Sequence, residues 1–154
     1  MAEPEMMTLD VSDWASGDAL DLADLRGRVV VIETFQMLCP GCISHGLPQA
    51  RRVHRAFARD QVVVLGLHTV FEHHDVMGPD ALRVFLHEYA IEFPVAIDRH
   101  VDGDAIPATM ARYGLRGTPS TLLVDRGGRL RHSFFGAQDD LVLGAHIGKL
   151  LTES

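Results

Sequence analysis

Cys39 and Cys42 are the only cysteines in the chain, and Pro40 and Gly41 stand between them. Two thiols at this spacing can close a small disulfide ring if the backbone turns between them. Pro40 pre-sets a helix start and Gly41 adds no bulk, so both favour the turn. The pair follows an apolar run, Val29–Phe35, and precedes a helical pattern. At a strand-to-helix junction, unpaired N–H groups and the helix dipole favour an anion. Such a setting lowers a thiol pKa and yields a thiolate nucleophile. The chemistry expected of the pair is reversible thiol–disulfide exchange. Two buried structural cysteines, or half of a metal site, are the alternatives at this point.

Other signals bound those alternatives. Ile43 follows Cys42 where covalent haem attachment would need histidine. Zinc would need two further ligands. His68, His73, His74 and Asp75 are the candidates, read as a loop after the second strand. A metal-binding module or metallochaperone built on these groups is the rival reading, and a redox-dead binding module is a third.

Positioning a cysteine pair requires a sheet. The runs 29–35, 62–67 and 122–124 are rich in β-branched residues and bounded by turn or charged residues, as in buried strands. Residues 94–97 give a shorter fourth strand. Arg126-Gly127-Gly128-Arg129 turns the chain into a hairpin with Leu130–Phe135. Between strands, Leu47, Ala50, Val53 and Phe57 share one helix face, while Arg51, Arg52 and Arg55 are expected on its solvated side. Leu82, Phe85, Leu86 and Tyr89 form a second stripe after Pro79 and Asp80, and Leu143, Ile147, Leu150 and Leu151 a terminal one. The expected class is α/β: a three-layer sandwich whose mixed sheet carries helices on both faces. Residues 1–13 are expected to be a loose segment, and 14–154 the domain.

At 154 residues the chain is long enough for one full core. A net charge of −7 without a basic run argues against nucleic acid or an anionic membrane as partner. Neither a signal peptide nor a membrane-spanning stretch is visible, and a cytoplasmic protein would read this way. A trimmed export signal would leave the same appearance, with a periplasmic location.

In sheets of this class the site lies beyond the carboxyl ends of the strands, where Cys39 falls. Gly117-Thr118-Pro119 reaches the same place, directly before the strand 120–125. A proline there cannot donate to the ladder, and a cis X–Pro turn would explain it. With both motifs and the element order, the chain resembles the thioredoxin superfamily, and within it the TlpA-like thiol-disulfide oxidoreductases, over residues 21–151. The resemblance implies that Pro119 is cis and packs against the pair. It also implies that residues 68–98 hold the extra helix and strand of the TlpA-like branch. Glu33, six positions before Cys39, stands where relatives carry a buried acid. Inside an apolar strand its pKa should rise, and it could take the Cys42 proton.

Three residues depart from that pattern. Leu38 replaces the usual tryptophan before the first cysteine, Pro48 comes one position late, and His45 stands where a glutamate is common. Peroxiredoxins share the fold but carry threonine three positions before the reactive cysteine. Gln36 stands here, so peroxidase activity is not expected. The expected protein is a monomeric thiol-disulfide oxidoreductase without cofactor. Its catalytic groups are Cys39, Cys42 and Glu33, and Leu38, Pro40, Gly41, Thr118 and Pro119 position its substrate. Its partners are protein thiols or disulfides and an upstream electron donor.

Overall fold

Val29–Phe35 (β2) and Val62–His68 (β3) show no polar alternation because neither face of the sheet meets water. In the computed structural model, which describes residues 5–154, they pair in parallel at the centre of a six-stranded sheet. The remaining strands are Val11–Ser16 (β1), Val95–Asp98 (β4), Ser120–Val124 (β5) and Leu130–Phe135 (β6). Their order is β1-β4-β3-β2-β5-β6. β4 runs parallel to β3, whereas β1, β5 and β6 are antiparallel to their neighbours, which makes the sheet mixed.

Side-chain alternation divides the core between the two faces. Val29, Val31, Phe35, Val62 and Val64 face one side, under Leu47–Ala56 (α1), Pro79–Glu88 (α2) and Asp140–Thr152 (α4). Val30, Ile32, Leu65 and Leu67 face the other, covered by Leu22, Leu25, Met7 and the chain around Tyr113 that follows the short helix Ala108–Arg112 (α3). The three longer helices therefore share one face. The expected extra helix and strand in residues 68–98 are α2 and β4, which extend the sheet beyond β3. His68 is not in a loop but is the buried last residue of β3.

The N-terminal segment corrects the expected boundary at residue 14. Residues 1–4 lie outside the described residues, but Met7 is buried and its N–H donates to the Gly128 carbonyl. Asp10 holds Arg99 through both oxygens, at 2.7 and 2.9 Å, and β1 begins at Val11. Register shifts on both sides of the Asp13–Trp14 pairings break the two-residue period that would have marked this strand. The expected solvated arginines of α1 also have partners. Arg52 reaches Asp140, Arg55 reaches Glu92, and Arg51 reaches the Tyr89 carbonyl. These exposed pairs add little stability.

Packing of α4 onto β2 rests on Leu143, Ile147 and Leu150, all buried in the larger core. Ile147→Ala should therefore cost about 2–5 kcal/mol. Urea unfolding should show a lower midpoint at unchanged slope.

Candidate active site

β2 ends at Phe35, and the chain turns through Gln36–Leu38 before helical backbone begins at Pro40. Cys39 occupies the capping position of that helix. Its carbonyl accepts from the N–H groups of Cys42 and Ile43 at 3.1 and 3.2 Å. The Cys42 N–H also points at Cys39 Sγ, 3.2 Å away, so the sulfur fills the place a capping oxygen usually takes. Cys39 is half-buried and Cys42 fully buried, and both thiols are free. Burial, and then the adjacent Cys39 thiol, push the Cys42 thiol well above its ordinary value.

Residues Cys42–Gly46 form a π-helical turn, closed by the Leu47 N–H on the Cys42 carbonyl, and α1 continues from there. Pro48 has no N–H to give, and the wider turn immediately before it accommodates the late proline. His45 Nε2 lies 2.8 Å from the Gln138 carbonyl and 3.1 Å from its N–H. His45 thus ties the redox helix to the loop before α4.

The Thr118–Pro119 peptide bond is cis. Pro119 lies across the redox turn on two glycines. A Cβ on Gly41 would come within 3.3 Å of Pro119 Cδ, and one on Gly46 within 2.8 Å of Pro119 Cβ. The Thr118 carbonyl lies 3.5 Å from Cys39 Sγ, within reach of its S–H. Leu38 projects beside the pair, 58% exposed.

Glu33 shares the face of Val31 and Phe35, beneath the redox turn, and is 1% exposed. Its Oε2 accepts from the Thr121 hydroxyl at 2.7 Å, while Oε1 has no partner among the described residues. That bare oxygen would lie 2.5 Å from a Cβ on Gly46. Burial raises the Glu33 pKa well above its ordinary value against the opposing pull of the Thr121 hydrogen bond, and Cys39 adds a smaller upward push.

Leu38, Cys39, Pro40, Gly41, Cys42, Thr118, Pro119 and Glu33 are thus brought to one end of β2. Four residues not singled out as site residues join them. Gln36 is buried, accepts the Phe71 N–H at 3.2 Å, and leaves no hydroxyl three positions before Cys39. His68 Nε2 accepts the Met37 N–H at 3.3 Å, so its proton sits on Nδ1, and burial lowers its pKa to about 4. Gly46 and Thr121 were readable only as a glycine near a helix start and a residue of an apolar strand.

His73 and His74 do not complete a metal site with the thiols. Among the described residues no group of three or more His, Cys, Asp or Glu side chains is placed to hold a metal ion. A cleft of about 520 Å³ is lined by His68, His74, Asp98 and His100 among others, and neither cysteine lines it. No helix among the described residues is long and apolar enough to cross a membrane.

Residues 5–133 match the model of the AhpC/TSA family. The chain belongs to the AhpC/TSA family. It is 54% identical to a solved thiol-disulfide isomerase from Corynebacterium glutamicum, with a TM-score of 0.96 over 98% of both chains. It is 28% identical over 135 residues to protein DipZ of Mycobacterium tuberculosis, covering 88% of this chain but 18% of that protein. The chain therefore spans less than a fifth of that relative's length. It is also 25% identical over 134 residues to the thiol-disulfide oxidoreductase ResA of Bacillus anthracis, covering 87% of this chain and 70% of that protein. Within the AhpC/TSA family the fold is thioredoxin-like, as the cysteine and proline motifs implied.

Two expectations follow. Gly46→Ala forces a methyl group against Glu33 Oε1 and Pro119 Cβ, so it should destabilise by about 1–3 kcal/mol in thermal or urea unfolding. Gly144→Ala, with open space at the added methyl, should not. The second concerns pH. The unfolded chain ionises Glu33 near 4.5, and the folded chain only at a higher pH. The folded state then binds more protons, so the Glu33 contribution is complete below about 4.5 and fades as pH rises through the folded value. Glu33→Gln should flatten that decline, by up to about 1.4 kcal/mol per pH unit across the window. Denaturation at a series of pH values measures it.

Proposed function

We propose that the protein is a thiol-disulfide oxidoreductase that exchanges electrons with protein disulfides or dithiols through Cys39 and Cys42. The observation that carries this reading is the capped thiol. Cys39 Sγ lies at the start of a helix with the Cys42 N–H aimed at it, and Pro119 closes over the turn. N–H groups in that position stabilise a developing thiolate. The names of the Corynebacterium glutamicum and Bacillus anthracis relatives support the same chemistry.

For a substrate disulfide the steps balance as follows. Cys39 thiolate attacks one substrate sulfur, forms a mixed disulfide and expels the other sulfur as a thiolate. Glu33 carboxylate takes the proton of Cys42, and the Cys42 thiolate attacks Cys39 Sγ. The Cys39–Cys42 bond forms, the bond to substrate breaks, and the substrate leaves reduced by two electrons. An upstream thiol donor then restores the dithiol, and the reverse sequence oxidises a substrate dithiol. Thr118 and Pro119 position the incoming chain beside Cys39, with Leu38, Pro40 and Gly41 shaping the surface it meets. The protein works as a monomer and the cysteine pair is its redox group.

Alkylation before and after dithiothreitol should differ by two labels per chain in the oxidised protein. Cys42→Ser should accumulate mixed disulfides with substrate, and Cys39→Ser should accumulate none. An unchanged label count would overturn the exchange reading, and the opposite trapping pattern would reverse the two roles.

A further inference from the structure

We propose that Thr121 is a positioning residue for the resolving step, and that it selects Oε1 of Glu33 as the atom that receives the Cys42 proton. This rests on the role given to Glu33 above. The antiparallel register places Thr121 directly opposite Glu33. Thr121 shares its sheet face with Leu123, which packs in the same core as Val31 and Phe35. Its hydroxyl donates to Oε2 at 2.7 Å, the only hydrogen bond the carboxyl makes among the described residues.

A hydroxyl has one proton to donate, and giving it to Oε2 leaves the two carboxyl oxygens chemically unequal. Oε2 is held against β5. Oε1 is bare, buried, and set against Gly46 on the turn that begins at Cys42. A lone carboxyl in this pocket could rotate and would stay protonated, since burial disfavours its charge. The Thr121 donor counters both tendencies. It fixes the rotation, and it stabilises the carboxylate that must exist before a proton can be accepted. The step is then Cys42 S–H plus Glu33 carboxylate giving Cys42 thiolate plus Glu33 carboxylic acid. The new O–H sits on Oε1 while Oε2 keeps its bond to Thr121.

The test isolates resolution by preparing Cys39 as a mixed disulfide with thionitrobenzoate. Release of the coloured thiolate by Cys42 is then followed in a stopped-flow instrument across pH. Thr121→Val keeps the branched shape and deletes the donor. It should move the release profile to higher pH by about one to two units, the shift expected for one lost hydrogen bond to a charged group. Thr121→Ser should restore the wild-type profile. In a Glu33→Gln background Thr121→Val should change nothing further. If Thr121→Val does not fold, Thr121→Ala also deletes the donor, without adding a γ-carbon.

The two readings fail separately. If Glu33→Gln alters the profile and loss of the Thr121 hydroxyl does not, the assignment of Thr121 is overturned and Glu33 stands. If Glu33→Gln leaves the profile unchanged, the proton-acceptor role falls and this inference falls with it. A Thr121→Ser profile that matches Thr121→Val would also overturn the assignment, because packing and not the donor would then set it.

Discussion

Slipping β5 by one residue against β2 would turn Thr121 away from Glu33 and carry Pro119 off the redox turn, because side chains alternate with period two. Pairing of these two strands is the constraint on which the site depends. It is held from both faces. On one, Thr34 Oγ1 donates to the Ser120 carbonyl at 2.9 Å and accepts from its N–H at 3.2 Å, so a side chain stands in for ladder bonds at the end of the strand. On the other, Glu33 and Thr121 bond across the same pair of strands. The cis proline immediately precedes β5, and its distance from Cys39 is set by this register.

The second constraint is the absence of side chains. At Gly46 the redox turn approaches Pro119 and Glu33 too closely for a methyl group, and at Gly41 a methyl group would be a tight fit against Pro119. Neither is needed for its backbone conformation, since Gly41 and Gly46 both have ordinary helical angles. They are small so that a carboxyl and a pyrrolidine ring can reach the backbone of the turn. Glu33 and Cys42 are two acids buried on either side of this close approach, and burial holds both toward their neutral forms. In the proposed resolving step, one proton passed from Cys42 to Glu33 changes which of the two carries charge without adding a charge to the interior.

What could be read before folding was local. Cys39, Pro40, Gly41 and Cys42 announce themselves by type and spacing, and Thr118–Pro119 by a proline at a strand start. β2 and β3 were legible because burial on both faces removes polar residues from the run. The same burial made alternation useless for deciding which way Glu33 points. β1 was missed because its bulges break the period, and His68 because a polar residue at the end of an apolar run reads as its boundary. Gly46 and Thr121 matter only through residues far away in the chain, so no local pattern marks them.

Leu38, exposed beside Cys39 in place of an aromatic ring, has a spectroscopic consequence. The one tryptophan, Trp14, pairs with Ala96 at the β1 edge of the sheet, and β4 and β3 separate it from β2. Three strand spacings of about 4.8 Å lie between its strand and the one that leads to the cysteines. Tryptophan emission should therefore report the docking of β1 rather than the oxidation of the thiols. In this chain the usual optical signal of a redox dithiol has been separated from the dithiol itself.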